Sequence, residues 1–253
     1  MKMRRAKPAA PPVTAPTAVD LRLGRWEDVI PDEEVDAEIS DPPYGERVHS
    51  FVVDERADGT SSAGLRPEYS AWTPADVAAY VARRSPRVRG WMVSLTSHDL
   101  IPAWEDAHRA AGRLCFAPVV CVMRGMSFRK QGDGPASWAV YAMVARPRAK
   151  RFMGGWACSG AHVGVASGEA GGGRGKPMWL MSALVRDYSR PGDLVCDPFA
   201  GWGVTLAAAV SLGRRAIGAE VDPTAHAEAV RRLARPTQFD LFESGLAPQG
   251  ETA

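Results

Sequence analysis

The tetrad Asp41-Pro42-Pro43-Tyr44 closes residues 35–40, a stretch that reads as a short strand. Neither proline has an N–H to give to a β-ladder, so the chain must leave the sheet there. A carboxylate, stiffened backbone carbonyls and an aromatic ring are thereby gathered at the strand's C-terminal end. In open α/β sheets that edge is where ligands bind. An Asp-Pro turn after a strand is equally a common structural device. The tetrad alone therefore leaves a plain turn and a site open, and the rest of the chain has to decide.

Helix and strand signals alternate downstream. Thr73-Pro74-Ala75-Asp76 reads as a helix start, with Thr73 as N-cap and Pro74 in the first turn, and the helix ends near Arg84. Residues 90–96 read as a buried strand, 101–111 as a helix stopped by Gly112, 114–123 as a strand interrupted by Pro118, and 138–145 as a further strand. After a break come a helix over 177–188, a turn at Arg190-Pro191-Gly192 and a strand over 193–196. A βα unit from 204 to 220 and a last helix over 223–233 complete the series. Such alternation implies an α/β domain with a mostly parallel sheet covered on both faces. Residues 20–30 are amphipathic but give no clear assignment. Residues 45–70 read as a loop, and so do 146–176, where nine glycines follow neither a helical nor a strand period. Loops of that length are usually functional.

Apolar content of 45% and charged content of 24% are those of a soluble globular chain. No run of about 18 apolar residues is present, which argues against a transmembrane helix. Residues 1–19 are rich in Pro and Ala without an apolar signal core and read as a disordered tail. The domain is expected over 20–235, with a second tail over 236–253. The four cysteines form no Cys-x-x-Cys pair, so a zinc site is not expected and a reducing, cytoplasmic setting fits. Cys115 and Cys196 read as small core residues. A net charge of +2 excludes a polycation. The arginines nevertheless cluster. Arg83, Arg84, Arg87 and Arg89 read as solvated turns. Arg124, Arg129 and Lys130, then Arg146, Arg148, Lys150, Arg151 and Arg174, flank loops and suit a polyanion lying across one face.

Asp197-Pro198-Phe199-Ala200-Gly201-Trp202-Gly203-Val204-Thr205 follows a strand and opens a helix. Glycines there permit a tight turn and close backbone approach to a ligand, and the helix start offers unpaired N–H groups. The next strand, Ala216-Ile217-Gly218-Ala219-Glu220, ends in an acid, where nucleoside-binding folds place a carboxylate on ribose hydroxyls. A dinucleotide dehydrogenase would show a third glycine and an earlier position in the chain.

With both motifs in view, the chain resembles the S-adenosylmethionine-dependent DNA amino-methyltransferases, which methylate adenine N6 or cytosine N4. Asp41-Pro42-Pro43-Tyr44 matches that family's catalytic motif, and Asp197 to Gly203 its cofactor motif. Lys176-Pro177 matches the lysine–proline segment ahead of the cofactor motif, and Glu220 the ribose acid. A catalytic motif that precedes the cofactor motif marks the permuted, β-type order. The resemblance implies a class I methyltransferase fold, Rossmann-like and permuted, with a mixed, mostly parallel seven-stranded sheet. It implies S-adenosyl-L-methionine held by Lys176, Pro177, Asp197, Pro198, Phe199, Ala200, Gly201, Gly203, Thr205 and Glu220. It also implies double-stranded DNA as substrate and a base flipped out of the helix.

The chemistry accounts for the residue types. The exocyclic amine is a weak nucleophile, and two acceptors gripping its N–H bonds can aim its lone pair at the sulfonium methyl. Asp41 supplies one acceptor and the Pro42 carbonyl the other, while Pro43 stiffens the turn. Tyr44 stacks on the base, or else packs beneath the loop. An aspartate at the head of the tetrad leans toward adenine, with N4-cytosine as the second reading. A silent nucleic-acid-binding subunit and an RNA or protein-amide methyltransferase stay open. The sequence departs from the family at Trp202, Val204 and Gly24-Arg25-Trp26. Phe199 reads as a cofactor contact or core, Trp202 as pocket lining or outer-face residue, and Lys176 as a partner of the methionine carboxylate or a loop end. Residues 146–175, helped by 45–70, are the expected target-recognition region. Gln238-Phe239-Asp240-Leu241-Phe242 resembles a peptide that binds the sliding clamp, or covers the domain's own core.

Overall fold

The computed structural model of this chain describes residues 18–46, 70–125, 138–148, 158–166 and 175–234. Nine strands form one sheet: β1 (Val19–Leu23), β2 (Ala37–Ser40), β3 (Met92–Thr96), β4 (Arg113–Cys115), β5 (Val119–Arg124), β6 (Ala139–Pro147), β7 (Ala161–Val165), β8 (Leu194–Asp197) and β9 (Arg215–Glu220). Their order is β1-β9-β8-β2-β3-β6-β5-β7, and β4 also pairs with β6. Strand β6 runs antiparallel to β3, β4 and β5, and the remaining pairings are parallel. The mixed, mostly parallel α/β architecture read from the alternation is thus the one observed.

Seven strands were expected and nine are present among the described residues. Pro118 lies between two strands, β4 and β5, so residues 114–123 are not one interrupted strand. Strand β7 lies inside the stretch read as loop. It pairs with β5 alone, leaves Val163 and Val165 exposed, and turns His162 and Gly164 inward. Gly164 supplies no side chain to mark that face. The Trp179 ring fills the place, with Cε2 2.3 Å from where a Cβ would stand. Strand β1 begins at Val19, one residue inside the presumed tail, and pairs with β9. The clamp-like peptide at 238–242, with the rest of 236–253 and residues 1–17, lies outside the described residues.

The helices are α1 (Trp26–Val29), α2 (Pro74–Arg84), α3 (Ile101–Ala110), α4 (Met178–Tyr188), α5 (Val204–Ser211) and α6 (Pro223–Leu233). Helix α2 starts as its sequence demands: Thr73 Oγ1 accepts from the Asp76 N–H, and Asp76 Oδ2 accepts from the Thr73 N–H at 2.8 Å. Helix α3 stops at Gly112, whose φ of +70° suits a residue without Cβ. One face of the sheet packs Ile39, Val93, Leu95 and Val195 under α4 and α5. The other packs Met92, Cys196 and Ile217 under α1, α2 and α3. Burying alternate residues of the same strands on both faces is what a parallel sheet with helices on either side requires.

Arg84 is not a solvated turn residue. Its side chain is fully buried and its Nε donates to Glu38 Oε2 at 2.7 Å, with Glu38 itself 1% exposed. The Tyr80 hydroxyl donates to Glu38 Oε1 at 2.7 Å, and Arg84 Nη1 donates to the Ile30 carbonyl at 3.1 Å. Burial works against the guanidinium charge, but Glu38 beside it holds the pKa above its ordinary value. Arg87 and Arg89 do make exposed pairs, with Asp32 and with Glu34 and Asp36. Removing one member of a buried ion pair strands the other's charge. Arg84→Met is therefore expected to cost about 3–5 kcal/mol of stability, and Glu38→Gln on top of it to recover part of that loss; urea denaturation of both variants measures it.

Candidate active site

Strands β2 and β8 lie side by side, so the turns that follow them emerge together at one edge of the sheet. Asp41 comes directly after β2, and Asp197 is the last residue of β8. Glu220 ends β9, the next strand along. Positions 41 and 197, separated by 156 residues in sequence, thus close on one place because the strand order brings them there. This is the switch-point geometry at which open α/β sheets bind ligands.

The tetrad is held from two sides. The Trp72 N–H donates to the Tyr44 carbonyl at 3.0 Å. The Gly45 N–H donates to Ser97 Oγ at 3.3 Å, and a Cβ on Gly45 would stand 2.3 Å from Asp99 Oδ2. Pro42 is buried, while Asp41, Pro43 and Tyr44 are half-buried. Lys176 Nζ donates to Asp41 Oδ2 at 2.5 Å and lies 4.9 Å from the centre of the Tyr44 ring. The other oxygen, Asp41 Oδ1, is buried and meets no hydrogen-bond donor among the described residues. A buried acceptor without a donor is costly, and this one belongs to the residue at the head of the tetrad.

The glycine turn is built around Glu220 and Asp197. Gly201 and Gly203 have φ of +50° and +73°, and a Cβ on Gly203 would come within 2.9 Å of the Ala229 Cβ. Gly218 lies under the turn, where a Cβ would stand 2.9 Å from the Asp197 carbonyl oxygen. The Gly201 N–H donates to Glu220 Oε2 at 2.6 Å and the Asp222 N–H to Glu220 Oε1 at 2.8 Å. Two backbone donors thus fix the Glu220 carboxylate at the rim and leave it further lone pairs. Ala200 and Pro198 are buried in the turn, and Thr205 is buried at the start of α5. The Phe199 ring meets Trp72 at 5.4 Å and Tyr80 at 5.5 Å between centroids, so it ties the turn to α2. Trp202 packs against the core face under α4 and α5.

Burial raises the Asp197 carboxyl to about 7, against hydrogen bonds from Thr205 and from the Phe199 N–H, with the charges of Asp41 and Glu220 adding to the rise.

The basic residues divide by edge. Arg124 ends β5, which runs parallel to β3, so its exposed side chain stands at the edge that carries Asp41. Arg146 and Arg148 come at the far end of the antiparallel β6, where Ala145 faces Met92 at the start of β3. They lie at the edge opposite the tetrad. The Arg146 guanidinium there rests over the Phe116 and Trp91 rings at 5.5 and 6.0 Å. Arg129, Lys130, Lys150, Arg151 and Arg174 lie outside the described residues, as do residues 47–69. Sequence reasoning missed the buried Glu38 and Arg84 behind the tetrad. Residues 35–40 alternate apolar and polar, so Glu38 reads as a solvent-facing position and gives no signal of its burial. Among the described residues no cluster of metal-ligating side chains occurs.

Residues 163–231 match N6_N4_Mtase, a DNA methylase family. The matched segment contains Lys176, the glycine turn and Glu220. A DNA adenine methyltransferase of Escherichia coli K12, YhdJ, is 41% identical over 77 residues, which are 30% of this chain and 26% of that protein. The chain spans about a quarter of the length of the curated relatives it matches. Among solved structures, the M1.HpyAVI–SAM complex superposes with a TM-score of 0.62 at 22% identity, covering 86% of this chain and all of that one. The PvuII cytosine-N4 methyltransferase gives a TM-score of 0.61 at 13% identity over 90% of this chain and 93% of that one. At those identities the shared feature is the fold, and it extends well beyond the matched segment.

The Asp197 carboxyl gives the fold a pH dependence of definite sign. Its folded value of about 7 stands above the ordinary 3.8, so between these values the folded chain holds a proton that the unfolded chain has lost. The stability it confers is complete below pH 4 and is lost as pH climbs through 7. Asp197→Asn keeps an acceptor for the Phe199 N–H and removes the titration. The drop in Tm between pH 5 and 8 is expected to be smaller in the variant, by roughly 2–4 °C for each kcal/mol involved, as calorimetry would record.

Proposed function

We propose that this chain transfers the methyl group of S-adenosyl-L-methionine to adenine N6 in double-stranded DNA, acting on a base flipped out of the helix. The observation that carries the reading is Asp41 Oδ1, a buried acceptor without a donor, set beside the glycine turn of a DNA-methylase segment. The side chains around the turn fit the cofactor. Gly201 and Gly203 leave room for close backbone approach, and Glu220 offers lone pairs to ribose hydroxyls. When bound, the cofactor supplies a methyl carbon activated by its positive sulfur.

The protein's part is to hold the acceptor. Asp41 Oδ1 and the Pro42 carbonyl each take one N–H of the target amine, which turns the nitrogen lone pair out of the base plane and toward the methyl. Rigid placement of two acceptors needs little reorganisation as charge develops. Positioning of this kind is worth several kcal/mol, on the order of the effective-molarity gains known for oriented reactants. The bound cofactor would supply the methyl, its C–S electrons staying on sulfur, and the methylated nitrogen would shed its proton to Asp41 or to water. No stronger base is needed. The Tyr44 ring stacks on the extruded base, a contact worth about 1–3 kcal/mol.

Adenine is favoured by the aspartate at the head of the tetrad and by the YhdJ match. Cytosine N4 is the second reading, since the same two acceptors suit its amine. Arg124, exposed at the catalytic edge, is read as a contact for DNA phosphate. The chain's expected cytoplasmic setting belongs to this reading.

Incubation with unmethylated DNA and S-adenosylmethionine, followed by nucleoside mass spectrometry, tests it. N6-methyladenine is expected; N4-methylcytosine alone would overturn the adenine assignment, and binding without transfer would leave a silent subunit. Asp41→Ala is expected to lower kcat at least about a hundredfold, the loss typical of a removed transition-state hydrogen-bond partner, with cofactor affinity little changed by calorimetric titration. Retained turnover would refute the mechanism.

A further inference from the structure

Lys176 was expected at the cofactor's carboxylate, yet its ammonium sits on Asp41. Its route there is set by its neighbours. Gly175 turns the chain with φ of +103°, where an added Cβ would stand 3.8 Å from the Trp202 Cβ, and Pro177 is the N-cap of α4. Lys176 is left to point back across the sheet edge at Asp41, with a side chain 18% exposed. Asp41 Oδ2 is its one hydrogen-bond acceptor among the described residues, and the Tyr44 ring lies beneath it at 4.9 Å.

We propose that Lys176 is a gate: in the free protein its ammonium stands in for the target amine, and the flipped base must displace it. The ammonium offers N–H bonds to the same carboxylate and charge to the same ring face that the reaction reserves for the amine and its base. The amine itself would take Oδ1, but the base that carries it cannot stack on the ring face that the ammonium covers. The substitution is also incomplete, because one ammonium bonded to Oδ2 leaves Oδ1 without a donor. The target amine gives one N–H to Oδ1, and the base that carries it, stacked on Tyr44, answers the ring. A flexible four-carbon stem lets the lysine leave without moving the backbone. On release of the methylated base it returns, which clears the site. This inference rests on the reading of Asp41 as the amine's acceptor.

A binding site populated only in part weakens apparent affinity by the populated fraction. If the gate is open about a tenth of the time, its removal should lower KM for DNA about tenfold. The experiment measures steady-state methylation of unmethylated plasmid DNA and calorimetric binding of S-adenosylmethionine, for the wild type, Lys176→Met and Lys176→Arg. A KM for DNA reduced at least threefold in Lys176→Met, with cofactor Kd within about twofold of wild type and a near-normal KM in Lys176→Arg, is the expected result. A tenfold weaker cofactor Kd without a lower KM would place the lysine on the cofactor and overturn the gate; so would an unchanged or higher KM. Lys176→Gln serves if Lys176→Met does not fold. In Lys176→Ala, added ethylammonium chloride should raise KM again where sodium chloride of equal strength does not; equal effects of the two salts count against the gate. A wild type that binds the cofactor and methylates no DNA refutes the parent reading before any variant is made, and the gate falls with it.

Discussion

The buried carboxylate of Glu38 governs how this molecule is put together around its site. It stands in β2, three residues before Asp41, in a place that admits no water. Arg84 and Tyr80 reach it from α2, so a helix otherwise held by apolar packing is locked in register against the strand that launches the tetrad. Charge burial of this kind contributes little net stability when complete and costs much when broken. Its value lies in allowing one arrangement only. Tyr80 adds a second tie through its ring, which meets Trp72 at 5.3 Å and Phe199 at 5.5 Å. Trp72 bonds the tetrad and Phe199 belongs to the glycine turn, so one aromatic cluster spans both halves of the site.

That connection explains why two loops of unlike sequence hold a common geometry. The tetrad is stiff within itself, by its prolines, but would swing as a unit without anchors at its ends. Gly45 pressed against Asp99 and the Trp72 bond to Tyr44 supply them. The glycine turn is loose within itself and is fixed by the carboxylates it wraps, Glu220 through Gly201 and Asp197 through Phe199. Rigidity comes from covalent restriction on one side of the cleft and from hydrogen-bonded acids on the other.

Much of this was legible in the sequence. Prolines and glycines are local instructions, and they placed both turns, the N-cap at Thr73 and the stop at Gly112. Strand and helix periods gave the parallel α/β class. What was not legible depends on partners distant in the chain. Arg84 looks like its neighbours Arg83 and Arg87 until Glu38 is seen beneath it. Strand β7 hides because its inward face carries a glycine, with the side chain that fills the gap coming from Trp179 on another element. Lys176 was singled out, but its contact with Asp41 crosses 135 residues and cannot be read from spacing.

The antiparallel run of β6 divides the sheet's connections between two sides. The chain leaves β5 at Arg124 beside the tetrad, yet leaves β6 at Arg148 and re-enters β7 near Cys158 on the far side. The described ends at Arg148 and Cys158 therefore both stand at the edge opposite Asp41. A label carried on Arg148 or Ser159 would thus stand away from the paired turns, whereas one on Arg124 or Val165 would stand at the edge that holds Asp41.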